Sequence, residues 1–212
     1  MTWDVFALRF GENLRRFRYQ HFMGIDADPH DGQHPIVFYL WAARRADGRT
    51  LVVDTGFDGP RAAARGHTLL LEPEMALARI GIDAAQVSDV IVSHFHWDHA
   101  GGAEKFPNAR FHIQSAEMAY ATGPCMCFPH LRRPFACEDV THLVKSLYAD
   151  RVVFHDGDAE ILPGVRLKKF GGHSAGLMGA CIDTAAGQVV LASDAIHFYE
   201  TMEGKPFPIV HD

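Results

Sequence analysis

The sequence predicts an α+β fold in which two sheets pack face to face and helices lie outside them. Two observations lead there. Strand-like runs gather in an early half, residues 36–113, and again from residue 151 onward, with segments of helical spacing interrupting the first group and separating it from the second. No short-period repeat and no low-complexity linker divides the 212 residues, so residues 1–212 read as a single domain whose 48% hydrophobic content can fill a substantial core.

Residues 3–10 alternate in polarity and predict a strand. Gly11 to His34 is polar and aromatic, with turn chemistry in Asp26-Ala27-Asp28-Pro29-His30-Asp31-Gly32, and reads as a long covering loop. Residues 36–41 and 50–53, joined through Ala46-Asp47-Gly48, carry a hairpin signal, and the second strand runs into Asp54-Thr55-Gly56. Residues 70–80 have helical spacing with Pro73 near the start, and residues 87–92 form a short buried strand that feeds directly into Ser93 and His94. Residues 109–113 predict another strand, residues 115–120 a short helix capped by Ser115, and residues 139–148 a helix capped by Asp139. The late strands are expected at residues 151–155, 159–162, 165–170, 178–183 and 189–192, between Gly, Pro and Asp turns.

Composition narrows the partners. A formal net charge of −6, with 20 Lys and Arg that form no extended run, exerts no pull toward nucleic acid or anionic membrane and leaves a small-molecule substrate as the expected partner. The N-terminal residues lack an apolar stretch of signal-peptide length and no segment approaches a membrane span, so a cytoplasmic location is expected. Cys125, Cys127, Cys137 and Cys181 are too few for a disulfide scaffold and lack the paired spacing of a structural zinc site, so they read as reduced thiols.

The histidines carry the chemistry. Ser93-His94-Phe95-His96-Trp97-Asp98-His99-Ala100-Gly101-Gly102 places three imidazoles and a carboxylate within six residues. His94 and His96, two apart in an extended segment leaving a strand, point the same way and can hold one ion. As the chain turns beyond them, Asp98 and His99 can reach a second. Two later turns offer further ligands. His173 lies in Gly171-Gly172-His173-Ser174-Ala175-Gly176, where small neighbours let its ring approach a buried ion. Asp194, in Ser193-Asp194-Ala195 after a strand, could bridge two cations and lower their mutual repulsion.

His-x-His-x-Asp-His at 94–99, the Gly-His turn at 173 and Ser-Asp-Ala at 193–195 resemble the successive motifs of the metallo-β-lactamase superfamily, and Asp54-Thr55-Gly56 resembles its early turn. The resemblance covers nearly the whole chain, and the order of motifs is most similar to the N-acyl homoserine lactonase group, the quorum-quenching lactonases. It implies an αββα sandwich and two zinc ions, with His94, His96 and His173 on the first metal, Asp98 and His99 on the second, and Asp194 between them. Asp54 would then orient a ligand histidine, or serve only as a turn residue. At the position where the lactonases place a substrate-contacting tyrosine, three residues after the bridging Asp, this chain has His197, with Tyr199 two further on; both are candidates for that contact. The family pattern also ends in another histidine ligand well beyond the bridging Asp, whereas this sequence stops at Asp212, and His211 lies too close to Asp194 to match. The expectation is a sandwich lacking its last C-terminal elements, with the second metal one ligand short and an open edge that favours a homodimer.

The activity so implied is lactone opening by a metal-bound hydroxide, with Asp98 accepting the proton of the attacking water. Phe95, Trp97, Phe128, Phe198 and Met202 are candidates for an apolar acyl pocket. Thioester hydrolysis of the glyoxalase II type and, more remotely, β-lactam hydrolysis belong to the same superfamily. A mononuclear iron sulfur dioxygenase is the redox alternative, since the diiron oxygen-reducing branch carries a carboxylate where this chain has His96. A non-catalytic remnant with an incomplete site is the third.

Overall fold

The computed structural model describes residues 1–24, 28 and 30–205; part of the turn expected at residues 26–32, and His211, lie outside the described residues. Among the described residues, eleven strands are arranged in two sheets. In chain order they are β1 (Trp3–Asn13), β2 (Ile36–Arg45), β3 (Thr50–Val53), β4 (Thr68–Leu69), β5 (Asp89–Ile91), β6 (Arg110–Gln114), β7 (Val152–His155), β8 (Ala159–Leu162), β9 (Val165–Lys169), β10 (Met178–Thr184) and β11 (Gly187–Leu191). The larger sheet has the order β4-β1-β2-β3-β5-β6-β7 and the smaller β11-β10-β9-β8. The helices are α1 (Gly59–Ala64), α2 (Pro73–Ala78), α3 (Trp97–Ala100), α4 (Ser115–Ala121), α5 (Pro129–Arg132), α6 (Cys137–Tyr148) and α7 (Tyr199–Met202).

The larger sheet opens with the expected hairpin. β2 and β3 pair antiparallel with Trp41 opposite Val53, and Gly48 at φ 88° makes the turn. Beyond β3 the pairing becomes parallel: Val52 lies beside Val90, Val90 beside Phe111, and Phe111 beside Val152. β3 and β5 are buried on nearly every residue, which explains the apolar runs 51–53 and 90–92. Alternation then sorts their side chains between two cores. Leu51, Val53 and Ile91 join Trp3 and Ala43 against Leu162, Val165, Leu167, Met178, Ala180 and Ile182 of the smaller sheet. Val52, Val90 and Val92 point the other way, into a core with Phe57, Leu77, Phe106, Phe111 and Leu143 under the helices. The sheet-on-sheet core with outer helices is therefore what the residues build.

Two local expectations change, and α1, α5 and α7 are short helices with no counterpart among the expected elements. Ser115 is the first residue of α4 and not its cap; the cap position is Gln114, and Ser115 Oγ donates to the carbonyl of His155. Asp139 lies inside α6, which starts at Cys137, because its carboxylate pairs with Arg61 at 2.5 Å. A long-range ion pair of that kind outweighs a local cap. α1, absent from the sequence reading, starts after Asp58, whose side chain accepts from the backbone N–H of Arg61. Among the described residues no helix is long and apolar enough to cross a membrane.

Candidate metal centre

The centre forms where chain segments leave the ends of strands. β5 ends at Ile91, and residues 92–96 continue extended until His96, at φ −64° and ψ 151°, caps α3. This geometry sends His94 and His96 inward and lets the first turn of α3 present Asp98 and His99. His173 arrives from the turn after β9, where Gly171 and Gly172 take φ of 70° and 80°. Asp194 sits in a short 3-10 turn after β11, entered through Ser193 at φ 50°. The smaller sheet is tied to the larger at this place by the Met178 N–H, which donates to the Ser93 carbonyl at 3.0 Å.

His94, His96, His173 and Asp194 offer ligand atoms all within 4.8 Å of one another. His94 and His96 have ring centroids 4.3 Å apart, and His96 Nδ1 lies 3.0 Å from His173 Nε2. The two oxygens of Asp194 face opposite sides. Oδ2 lies 3.2 Å from His173 and 3.9 Å from His94, while Oδ1 lies 3.1 Å from His99 Nε2, with Asp98 beyond at 3.8 Å from that nitrogen. The structure thus brings all six expected ligands to one place and sets Asp194 between two groups of them.

The residues present fit a cation. His94 Nε2 is buried and has no hydrogen-bond partner, a costly state for a ring nitrogen unless something else engages it. Burial, reinforced by the neighbouring histidines, holds His94 and His96 well below the ordinary histidine range, so both are neutral donors of lone pairs. At His99 burial acts in the same direction, yet Asp194, Asp54 and Asp98 raise it well above that range. Asp194 and Asp98 face Nε2 of this ring, the side where a metal ion could sit, while Asp54 faces Nδ1. Burial raises Asp98, whereas at Asp194 its effect is outweighed by His197, His99 and His173, which keep that carboxyl well below its usual range.

Asp54 is resolved in favour of orienting a histidine. Its Oδ2 lies 2.7 Å from His99 Nδ1 and also accepts from Ser93 Oγ at 2.9 Å, while Oδ1 accepts from the Ser93 N–H at 2.8 Å. It holds this position at φ 63°, a left-handed conformation that Asp tolerates better than most residues. A second buried carboxylate, Glu117 of α4, escaped the sequence reading. Its Oε1 accepts from the Phe95 N–H at 2.9 Å and its Oε2 from the Gly176 N–H at 2.8 Å, while Ser174 Oγ bonds to both oxygens. Glu117 therefore clamps the 94–96 segment to the 173–176 turn. No spacing rule could find it, because its partners are 22 to 59 residues away.

A cavity of about 520 Å³ opens over the centre. Phe38, His67 and Trp97 line it together with Ile36, Ile196 and Phe198. Of the residues expected in an acyl pocket, Trp97 and Phe198 reach it. Phe95 is instead fully buried in the core, and Phe128 and Met202 are exposed. His197 lines the cavity with Nε2 2.8 Å from Asp194 Oδ2, whereas Tyr199, 85% exposed, stands outside the lining.

Known proteins resemble this chain in sequence and in fold. An N-acyl homoserine lactonase of Bacillus cereus is 31% identical over 175 residues, covering 74% of this chain and 64% of that protein. One of Bacillus thuringiensis is 32% identical over 134 residues, and the match spans 48% of its length. Among solved structures, an N-acyl homoserine lactone hydrolase with N-hexanoyl-L-homoserine at its catalytic metal centre superposes with a TM-score of 0.76 at 21% identity, covering 98% of this chain and 82% of that one. AidC, a dizinc quorum-quenching lactonase, does so with a TM-score of 0.65 at 19% identity, covering 92% and 72%. The family model for the metallo-β-lactamase superfamily matches residues 35–212, a span that holds every histidine and aspartate of the centre, and the chain belongs to that superfamily.

Proposed function

We propose that the protein is a zinc-dependent hydrolase that opens a lactone of the N-acyl homoserine lactone type. The observation that carries this reading is Asp194, whose two oxygens face His173 and His94 on one side and His99 on the other. The lactonase relatives support the substrate class. His94, His96 and His173 would hold one metal, Asp98 and His99 the other, and Asp194 both. Divalent metal bound there lowers the pKa of a water to about 7 and polarises a carbonyl oxygen.

The remaining work falls to side chains. Asp98 takes the proton of the attacking water and returns it to the ring oxygen that leaves as an alcohol. His197 lies on the cavity wall and hydrogen-bonds a substrate oxygen, a role that the exposure of Tyr199 makes that residue unsuited to fill. Ile36, Phe38, Trp97 and Phe198 exclude water and receive the acyl chain. The test is elemental analysis of protein purified without added metal, paired with a pH-indicator assay on a lactone panel. About two zinc ions per chain with lactone-dependent acid release are expected. One iron per chain with oxygen uptake and no acid release would overturn the proposal, as would turnover of thioesters alone.

A further inference from the structure

Three arginines in the covering segment have different fates. Arg15 is exposed, and Arg18 pairs with Glu200 at 2.9 Å. Arg16 instead turns into the wall of the cavity above the centre. Its backbone carbonyl is fixed by the His34 N–H at 2.6 Å and one terminal nitrogen donates to the Gln20 carbonyl at 3.0 Å. Its Nε is buried without a hydrogen-bond partner, and among the described residues no carboxylate lies within ion-pair distance of its guanidinium. Burial lowers its pKa and only the field of Asp98 offsets this, so the cation occupies its place at a net cost.

His67 lines the cavity as well, and burial lowers its pKa from 6.5 to about 4, so it stays neutral at pH 7. Arg65 stands 4.6 Å over the Trp97 ring, and His67 stacks on that same ring at 5.3 Å with planes 14° apart. Among the described residues that line the cavity, Arg16 is the only Arg or Lys. A guanidinium with free donors matches a planar, negatively charged acceptor.

We infer that Arg16 forms a subsite for a carboxylate carried by the acyl portion of the substrate, so that this cavity favours acidic acyl lactones over neutral ones. The inference rests on the hydrolase reading above and refines its substrate class.

The probes are N-glutaryl homoserine lactone, whose acyl chain ends in a carboxylate, and its terminal carboxamide, together with their ring-opened forms as non-reacting ligands. In the metal-loaded protein the ring-opened glutaryl compound should bind about ten-fold tighter by calorimetry than its carboxamide, and kcat/KM for the lactones should show the same preference. Arg16→Gln should collapse both ratios toward one, and Arg16→Lys should retain part of each. Absence of any preference in the unsubstituted protein overturns the subsite without need of a variant, and so does a preference that survives in Arg16→Gln. If the binding preference is present and neither lactone is turned over, the subsite stands and the lactonase reading fails.

Discussion

Replacing Glu117 by Gln exchanges one oxygen of a buried clamp for an NH2 group and leaves its volume almost unchanged. Oε1 serves the Phe95 N–H and Oε2 the Gly176 N–H, so either orientation of the amide sets its NH2 against a backbone N–H that currently has an acceptor. Glu117 is 1% exposed, so water cannot relieve the clash. Burial raises its pKa, and the bonds from Ser174, Phe95 and Gly176 offset only part of that rise. One orphaned buried donor costs about 1–3 kcal/mol, and losing a bond to a charged acceptor adds to it, for a total of about 2–4 kcal/mol. In a domain of this size that is a fall in Tm of roughly 4–16 °C. Because the clamp joins the segment bearing His94 and His96 to the turn bearing His173, zinc affinity should also fall about 10- to 100-fold. Urea denaturation and a competitive chelator titration measure the two effects. A variant within about 0.5 kcal/mol of the parent, with unchanged zinc affinity, would refute the clamp.

Other positions separate further parts of the reasoning. Asp54→Asn keeps a residue that tolerates φ 63° yet removes the charge facing His99 Nδ1, so bound metal should be lost about ten-fold more readily, as read by elemental analysis after dialysis against chelator. Gly176→Ala would place a Cβ 2.4 Å from the Glu117 backbone nitrogen and should yield little soluble protein, whereas Gly172→Ala, strained only by its φ of 80°, should cost about 1 kcal/mol; equal stabilities would contradict this. His21, buried between Phe22, His34 and Phe198, has its pKa lowered from 6.5 to about 4, chiefly by burial. Its folded pKa lies below its unfolded one, so the unfolded chain binds the extra proton and stability declines as pH falls from about 6.5 through 4, with His21 contributing up to about 2 kcal/mol of the loss by pH 5, beside a further loss from His67, also lowered to about 4. Urea midpoints at pH 7 and pH 5 should show a smaller loss in His21→Gln than in the parent, and equal losses would refute the assignment to His21.

The sequence by itself determined the strands and the ligand-bearing turns, because both are written in neighbouring residues. Apolar runs such as 50–53 and 87–92 demand burial wherever they occur, and the cluster at 94–99 concentrates donor atoms before any folding takes place. It also placed His173 and Asp194 at strand ends, though their meeting depended on the two sheets packing. The tertiary structure alone decided which polar groups far apart in sequence face each other. It committed Asp54 to His99, 45 residues away, and drew Asp139 from a helix cap to Arg61, 78 residues away. It buried Glu117 as a clamp and turned Arg16, but not Arg15 or Arg18, into the cavity. The physical reason is that a buried charge is tolerated only where folding supplies partners or a function, and those partners come from other elements with no fixed spacing along the chain.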